Sequence, residues 1–153
     1  MTLPPGITLV QLSLPLPEPW GTPAPEVFDH PVTTASLTRF LAQPGRVLLL
    51  AYHGPLIVGQ LTAYVCTPPE ERPPSVFIDE LGITPSHQRR GIGRALVDYL
   101  LQLMPTLGAQ EVWVAAEPTN QPAQALYASV FHAPESALIY TYRLGGSADS
   151  AVE

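Results

Sequence analysis

The chain contains no lysine and only one cysteine, and both scarcities restrict what it can be. Its seven cationic side chains are all arginine, against thirteen acidic residues, so the net charge is −6. A nucleic-acid backbone requires a basic face, so this charge argues against a nucleic-acid partner and suits a cationic substrate. Cys66 has no second cysteine for an intrachain disulfide, which gives no sign of an oxidising compartment.

Long apolar runs and a basic leader are also missing. No apolar segment approaches the length of a membrane span, and the N-terminus has no basic region and is interrupted by Pro4 and Pro5. We therefore expect a cytoplasmic protein without a membrane partner. At 153 residues, the chain suits one domain with a sizeable core. We expect this domain to span residues 1–144 and a flexible C-terminal tail to span residues 145–153.

The nineteen prolines lie mainly in the N-terminal third and in the connections, and we interpret them as rigid loops. Apolar periodicity between them predicts alternating strands and helices. The first half predicts a strand at 7–14, irregular structure at 15–31, a short helix capped by Thr33 or Thr34, and strands at 47–52 and 56–65 that form a hairpin. A strand at 75–83 and a long helix follow, and Pro105 must end or kink this helix. The last predicted elements are a strand at 111–116, a short helix after Thr119 or Asn120, and a strand at 137–144.

The central feature is the stretch 75–107, which predicts a strand, a tight loop and an amphipathic helix. Gly82 within the strand indicates a bulge or a close approach of another molecule to the backbone. The first N–H groups of a helix lack intrahelical partners and carry partial positive charge, and glycine lets an anion approach them. The helix start contains two glycines and three of the seven arginines: Arg89, Arg90, Gly91, Gly93 and Arg94.

Two phosphate-binding motifs do not fit this helix start. A Walker loop needs a lysine after its glycines, and a dinucleotide fingerprint needs a small residue where Leu96 stands. The pattern that remains, Gln88-Arg89-Arg90-Gly91-Ile92-Gly93, resembles the Q/R-x-x-G-x-G/A pyrophosphate loop of the GCN5-related N-acetyltransferase (GNAT) superfamily. In that family the loop follows a bulged strand and begins a helix, which is the context predicted here. An ordinary solvated turn is the alternative.

The resemblance implies an α/β fold in which helices flank a twisted mixed β-sheet, in one acetyltransferase domain. It also implies acetyl-coenzyme A as the cosubstrate. His53, His87 and His132 have no metal-ligand spacing, so we expect no metal. The residues that it assigns to the pyrophosphate are Gln88, Arg89, Arg90, Gly91, Ile92, Gly93 and Arg94. The backbone N–H groups that it assigns to the thioester carbonyl are those near Leu81, Gly82 and Ile83.

A second segment, from Asn120 to Tyr127, resembles another signature of the superfamily. The resemblance implies that Asn120 contacts the pantetheine arm and that Tyr127 donates a proton to the departing thiolate. A core or capping role is the alternative for Tyr127. Family members usually continue with a basic residue and Gly-Phe, whereas Ser129-Val130-Phe131 follows here. We therefore expect the end of that helix to differ from the family.

An attacking amine is protonated near neutral pH, so acyl transfer needs a base, a water relay or a fraction of free amine. Asp79 and Glu80 are adjacent on the predicted strand, so their side chains point to opposite faces unless a bulge intervenes. The resemblance favours Glu80 as base or as the group that holds a cationic substrate; a salt-bridged carboxylate is the alternative. Phe28, His30 and Trp20 are candidate ligand contacts, although packing explains each of them better.

Within the superfamily, the chain looks most like the aminoglycoside 3-N-acetyltransferases. The function implied is transfer of an acetyl group from acetyl-coenzyme A to a primary amine of a small cationic acceptor, such as an aminoglycoside, by direct attack in a ternary complex. Another small amine or a polyamine remains an alternative acceptor. A different class of function is a non-catalytic sensor that binds acyl-coenzyme A. Relatives in the superfamily are often dimers, so a homodimer is compatible with the resemblance.

Overall fold

The computed structural model describes residues 2–145, and it contains a six-stranded mixed sheet and three α-helices. The strands are β1 (Ile7–Gln11), β2 (Thr22–Pro23), β3 (Arg46–His53), β4 (Leu56–Cys66), β5 (Ser75–Ile83) and β6 (Glu111–Val114). The helices are α1 (Thr34–Leu41), α2 (Ile92–Leu107) and α3 (Gln121–Ala128), and a 3₁₀ turn lies at Pro85–His87. This architecture confirms the predicted α/β class.

The strand order is β1-β3-β4-β5-β6, and β2 pairs with the start of β4. The β2–β4 and β5–β6 pairs are parallel, whereas the other pairs are antiparallel. The predicted hairpin is confirmed as β3 and β4, and the predicted strand, long helix and following strand form a parallel crossover of β5, α2 and β6. The chain divides into two compact units, residues 1–119 and 120–153, which we describe separately.

Helices and loops cover both faces of the sheet in the first unit. On one face, α1 and the N-terminal segments join β3 and β4 in an apolar cluster of Leu12, Val27, Leu37, Leu48, Leu50 and Ile57. On the other face lies α2, whose buried residues are Ile92, Ala95, Leu96, Val97 and Leu100. Each of these larger apolar side chains contributes about 1.5–3 kcal/mol when it is fully buried, so both layers stabilise the fold.

The helix termini follow local sequence signals. Thr33 is the cap of α1, because its hydroxyl accepts from the N–H of Ser36 at 3.0 Å while the Ser36 hydroxyl accepts from the N–H of Thr33 at 2.9 Å. The α2 helix ends at Leu107, two residues after Pro105, at which the sequence predicted an end or a kink. Gly108 caps it in the left-handed conformation with φ of 67°. No helix within residues 2–145 is long and apolar enough to cross a membrane.

Two predictions about strands are wrong. The segment 15–31 contains β2, whose two residues pair with Leu56 and Ile57 of β4. In the second unit, the predicted strand at 137–144 has no ladder, and its apolar residues Leu138, Ile139 and Tyr140 are 78–88% exposed. An alternating pattern becomes a strand only when a neighbouring strand supplies hydrogen bonds, and the sequence does not show whether one is present. The predicted tail, 145–153, lies outside the described residues apart from Gly145.

Candidate active site

The second half of β5 has a hydrogen-bonded neighbour on only one side. The parallel ladder with β6 runs from Ser75 to Ile78 of β5 and ends there, whereas the antiparallel ladder with β4 continues to Ile83. Within the described residues, no strand pairs with the β6 side of β5 beyond Ile78. The parallel ladder thus ends at Ile78, and residues 79–83 form a strand edge without a ladder partner on that side within the described residues.

A β-bulge lies at Asp79, because Ile78 pairs with Ala63 and Glu80 pairs with Thr62. The bulge brings both carboxylates against β4 side chains. Asp79 Oδ2 accepts a hydrogen bond from the Tyr64 hydroxyl at 3.1 Å, and Glu80 Oε2 accepts one from Gln60 Nε2 at 3.4 Å. The expectation that the carboxylates face opposite sides holds only for a regular strand, and here the bulge overrides it.

Gly82 is the place of a close approach rather than of the bulge. A Cβ at Gly82 would overlap the carbonyl oxygen of Val27, which belongs to the same chain. Val27 is 1% exposed, and its segment follows β2. Glycine at position 82 therefore allows the loop after β2 to lie directly on β5, beside Glu80.

Glu80 lies in an environment that disfavours its charged form. Burial raises the pKa of Glu80, and the negative charges of Asp79 and Asp29 raise it further. The hydrogen bond from Gln60 and the charge of His30 oppose this rise in the pKa. A carboxyl group whose pKa is raised toward neutral pH is suited to accept a proton from an amine.

The loop after β2 forms a wall near Glu80. Asp29 and His30, whose charges act on Glu80, line a cavity of about 390 Å³. Phe28 lines the same cavity, so two of the three candidate ligand contacts lie there. The third, Trp20, packs against the apolar cluster, and its indole N–H donates to the Thr34 hydroxyl at 3.0 Å. Packing therefore explains Trp20.

The loop between β5 and α2 returns toward the end of β5. The side-chain amide of Gln88 donates to the carbonyl of Ile83 at 3.0 Å, which joins the loop to the strand. Arg89 and Gly91 both have positive φ, 60° and 83°. Only glycine adopts this conformation routinely, so Gly91 suits the turn into the helix.

The start of α2 has backbone donors that precede the helical ladder. The Ala95 N–H donates to the Gly91 carbonyl at 2.9 Å, so the N–H groups of Ile92 and Gly93 precede the helical ladder. A Cβ placed on Gly91 would have no atom within 4 Å, so the space beside the glycine that precedes these donors is open. An anion of the size of a phosphate group can approach there, and the helix dipole favours its charge.

The three arginines at this helix start differ in their surroundings. Arg94 Nε donates to Asp98 Oδ1 at 3.1 Å, and this carboxylate partly neutralises it. Arg89 and Arg90 are exposed, and neither forms an ion pair within residues 2–145. Their charges are therefore the more available ones, although the binding roles of all three arginines remain predictions.

Arg90 also lines a second cavity, of about 400 Å³, together with His53 and His87. His53 Nδ1 and His87 Nε2 are 2.8 Å apart, so one ring donates a hydrogen bond to the other. Burial lowers the pKa of His87, and the charges of Arg90 and His53 lower it further. Within the described residues, there is no group of three or more His, Cys, Asp or Glu side chains suited to a metal.

The second unit contains Asn120 and Tyr127. The Asn120 side-chain oxygen accepts from the N–H of Ala123 at 3.2 Å, so Asn120 is the cap of α3. The Tyr127 ring packs edge-on against Phe131, with the ring centres 5.8 Å apart. Burial raises the pKa of Tyr127, so the phenol remains protonated and able to donate near neutral pH. The pantetheine contact and the acid role remain predictions.

Gln60 and Thr62 are residues that sequence reasoning missed. They lie on β4, are 2% and 9% exposed, and the Thr62 hydroxyl donates to Gln60 Oε1 at 2.8 Å. The sequence contained a signal for them, because two polar residues spaced by two interrupt an otherwise apolar strand. That spacing places both on one face, and buried polar groups require partners.

Comparisons with known proteins identify the family and the fold. The model of the acetyltransferase (GNAT) family matches residues 9–132. A [ribosomal protein bS18]-alanine N-acetyltransferase of Escherichia coli (strain K12) is 30% identical over 77 residues, which is 47% of this chain and 47% of the relative. The chain thus spans about half the length of the curated relatives that it matches.

Solved structures are similar over more of the chain. An aminoglycoside acetyltransferase from an uncultured soil metagenomic sample, in complex with trehalose, has a TM-score of 0.75 and 25% identity, covering 91% of this chain and 97% of that one. AAC(6')-Iy in complex with a bisubstrate analogue of coenzyme A has a TM-score of 0.70 and covers 90% of this chain and 99% of that one. Its 18% identity shows the fold alone. Since the family model matches 124 of the 153 residues, from 9 to 132, this chain belongs to the acetyltransferase (GNAT) family.

Proposed function

We propose that this protein transfers an acetyl group from acetyl-coenzyme A to a primary amine of a small cationic acceptor. The observation that carries the proposal is the open, left-handed Gly91 at the start of α2, since it directly precedes N–H groups that have no helical partner and can bind a diphosphate. The single-sided edge of β5 and the carboxylate of Glu80 lie on the preceding strand. Together they provide an anion site, backbone donors and a base.

Coenzyme binding is assigned to the loop and to the strand edge. The group that the coenzyme supplies is an acetyl thioester. The backbone N–H groups of Ile92 and Gly93 donate to the pyrophosphate, and Arg89 and Arg90 supply the compensating charge. Gln88 has a different task here, because its amide is already bonded to Ile83 and so fixes the loop. Backbone groups of Leu81–Ile83 are the donors for the thioester carbonyl.

Two side chains handle protons in this mechanism. Glu80 accepts the proton of the acceptor ammonium, directly or through a water molecule, and so produces the free amine that attacks the carbonyl carbon. Its raised pKa makes this acceptance easier near neutral pH. Tyr127 donates the proton that the departing thiolate takes up, and the second proton lost by the attacking nitrogen as the amide forms restores the phenol. Burial keeps its phenol protonated and is therefore compatible with that role.

An aminoglycoside is the acceptor class that we place first. The net charge is −6, and the charges of Asp29 and Asp79 act on Glu80, so a polycation is attracted to this region. The similar soil acetyltransferase is named for aminoglycosides, whereas the curated relative acts on the alanine of a ribosomal protein, which makes a protein α-amine the second acceptor. The predicted 3-N position rests on the sequence resemblance alone, and a cytoplasmic location and a homodimer stay predictions.

The test measures release of free thiol from acetyl-coenzyme A with a panel of aminoglycosides, polyamines and peptides that begin with alanine. Coenzyme binding is measured by calorimetry on the same preparation. We expect turnover with at least one amine class. Failure to bind the coenzyme would contradict the proposal, and binding without turnover by any amine would favour the non-catalytic sensor.

A substitution at Gly91 tests the diphosphate site itself. Gly91→Glu places a carboxylate in the open space before the helix donors, and we expect coenzyme affinity to fall by about tenfold or more through charge repulsion. Gly108→Glu is the matched control, because Gly108 has φ of 67° and open space at the other end of the same helix. Both variants carry similar backbone strain, so equal affinities would contradict the assignment of the site.

A further inference from the structure

We propose that Gln60 is a positioning residue that holds the Glu80 carboxylate in place for the acceptor amine, and that Thr62 fixes the orientation of the Gln60 amide. The inference rests on the proposed function, in which Glu80 accepts a proton. It concerns two β4 residues to which the family resemblance assigned no role. Neither residue is expected to touch the acceptor or the coenzyme.

The hydrogen bonds around Gln60 define how its amide lies. Gln60 Nε2 is 3.4 Å from the carbonyl oxygen of Val27 and 3.4 Å from Glu80 Oε2, and both partners are acceptors. The NH₂ group must therefore face them, which leaves Oε1 for the Thr62 hydroxyl at 2.8 Å. An inverted amide would place oxygen against two acceptors and lose the bond from Thr62.

The sheet register makes this arrangement possible. Gln60 pairs with Gly82 and Thr62 pairs with Glu80 across the β4–β5 ladder, so all four residues share one face. A Cβ at Gly82 would overlap the Val27 carbonyl. Glycine at this position thus lets three chain segments meet at one amide: β4, β5 and the loop after β2.

Burial gives the Gln60 contact its effect. Gln60 is 2% exposed, so water competes weakly for its NH₂ group, and no buried side-chain polar atom within the described residues lacks a partner. The other charged groups acting on Glu80 are Asp79 of β5 and Asp29 and His30 of the loop after β2. Since Asp79 and Asp29 disfavour the carboxylate, Gln60 is the neutral, fixed donor that opposes them.

The first experiment compares the pH dependence of kcat/KM in the wild type and in Gln60→Met, which keeps the volume and removes the donor. We expect the acid limb to move to higher pH, with a loss of about threefold to tenfold near neutral pH, because the 3.4 Å contact is long for a hydrogen bond. The loss should shrink at higher pH, where Glu80 is ionised in both proteins. A loss of equal size at every pH would overturn the proposal.

A second readout does not need turnover. The carboxyl carbon of Glu80 is followed by NMR during a pH titration, and Glu80→Gln identifies its signal. We expect Gln60→Met to raise the pKa of Glu80, and Gln102→Met on the exposed side of α2 to leave it unchanged. An unchanged Glu80 titration in Gln60→Met overturns the role of Gln60, whereas an inactive wild type contradicts the proposed function instead.

Thr62 provides a test if Gln60→Met fails to fold. Thr62→Val keeps the shape and removes the hydroxyl that holds the Gln60 oxygen, and we expect a smaller shift of the acid limb in the same direction. Thr62→Ser retains a hydroxyl and should restore the wild-type profile. If Thr62→Val and Thr62→Ser share the wild-type profile, the role of Thr62 is overturned.

Discussion

The two halves of β5 show how one strand is divided between stability and chemistry. The first half, 75–78, has a hydrogen-bonded neighbour on both sides, and Val76 and Ile78 are 0% and 1% exposed. The second half, 79–83, has a neighbour on one side, contains the bulge at Asp79 and leaves Leu81, Gly82 and Ile83 half-buried. The change occurs within a single residue step, where the ladder with β6 ends.

The difference between residues 75–78 and 79–83 shows that the candidate site consists of features that destabilise a β-sheet. An open strand edge leaves backbone groups without ladder partners, and a carboxylate with a raised pKa disfavours the folded state whenever it is ionised. The doubly paired half and the two covering layers offset these costs. We therefore expect substitutions in the first half to change stability and substitutions in the second half to change turnover.

Glu80→Gln is expected to show the largest difference between the two halves of β5, because it should change turnover without lowering stability. The variant removes the proton acceptor, so we expect kcat/KM to fall by about 10²–10⁴-fold. The free energy of unfolding should stay equal or rise, because a carboxyl group whose folded pKa is raised is destabilising once the pH exceeds that pKa, and glutamine is never ionised. Steady-state kinetics and urea denaturation measure the two quantities.

Two outcomes of Glu80→Gln would contradict the division of β5 into a stabilising half and a catalytic half. A protein that loses several kcal/mol of stability together with its activity would place Glu80 among structural residues. Full activity would remove Glu80 from the mechanism and favour a water relay or a pre-existing fraction of free amine.

The reverse result is expected from Ile78→Ala in the first half. Ile78 is 1% exposed, and its truncation should lower the free energy of unfolding by about 2–5 kcal/mol through lost burial and a cavity. The kcat/KM per folded molecule, measured well below the melting temperature, should remain near that of the wild type. Ile83→Ala is the matched control: the side chain is half-buried, so a smaller stability loss is expected. Equal stability losses would contradict the division of the strand.

Much of the first unit could be predicted from residue pattern, because the signals there are local or continuous. The apolar run of β3 predicted a strand, and Thr33 marked the start of a helix through its side-chain chemistry. An anion-binding loop could be proposed because glycines before an amphipathic helix have a direct physical meaning, and that assignment stays a prediction. These features depend on local sequence and not on contacts with segments that are distant in the chain.

The features that sequence missed depend on distant partners. The register between β4 and β5 determines the position of the bulge at Asp79. The requirement for glycine at position 82 comes from the Val27 carbonyl, which is 55 positions away in the chain. The strand expected at 137–144 failed for the same reason, since an alternating pattern does not specify a partner. The resemblance could thus name Glu80 as a candidate, whereas the surroundings of its carboxylate could not be predicted from the sequence.

The smallest effect is expected from Asp79→Asn, which tests how two carboxylates in the second half of β5 act on each other. Asp79 raises the pKa of Glu80 by charge, so Asp79→Asn should lower it and move the acid limb of kcat/KM to lower pH, since Glu80 then stays deprotonated further into the acid range. Asparagine can still accept the hydrogen bond from the Tyr64 hydroxyl, so the bulge should persist. Asp98→Asn removes a carboxylate paired with Arg94 on α2 and serves as the control, with an unshifted acid limb. An acid limb that stays in place in Asp79→Asn would mean that Glu80 titrates independently of its neighbour, and that the bulge contributes shape to this half of the strand without contributing electrostatics.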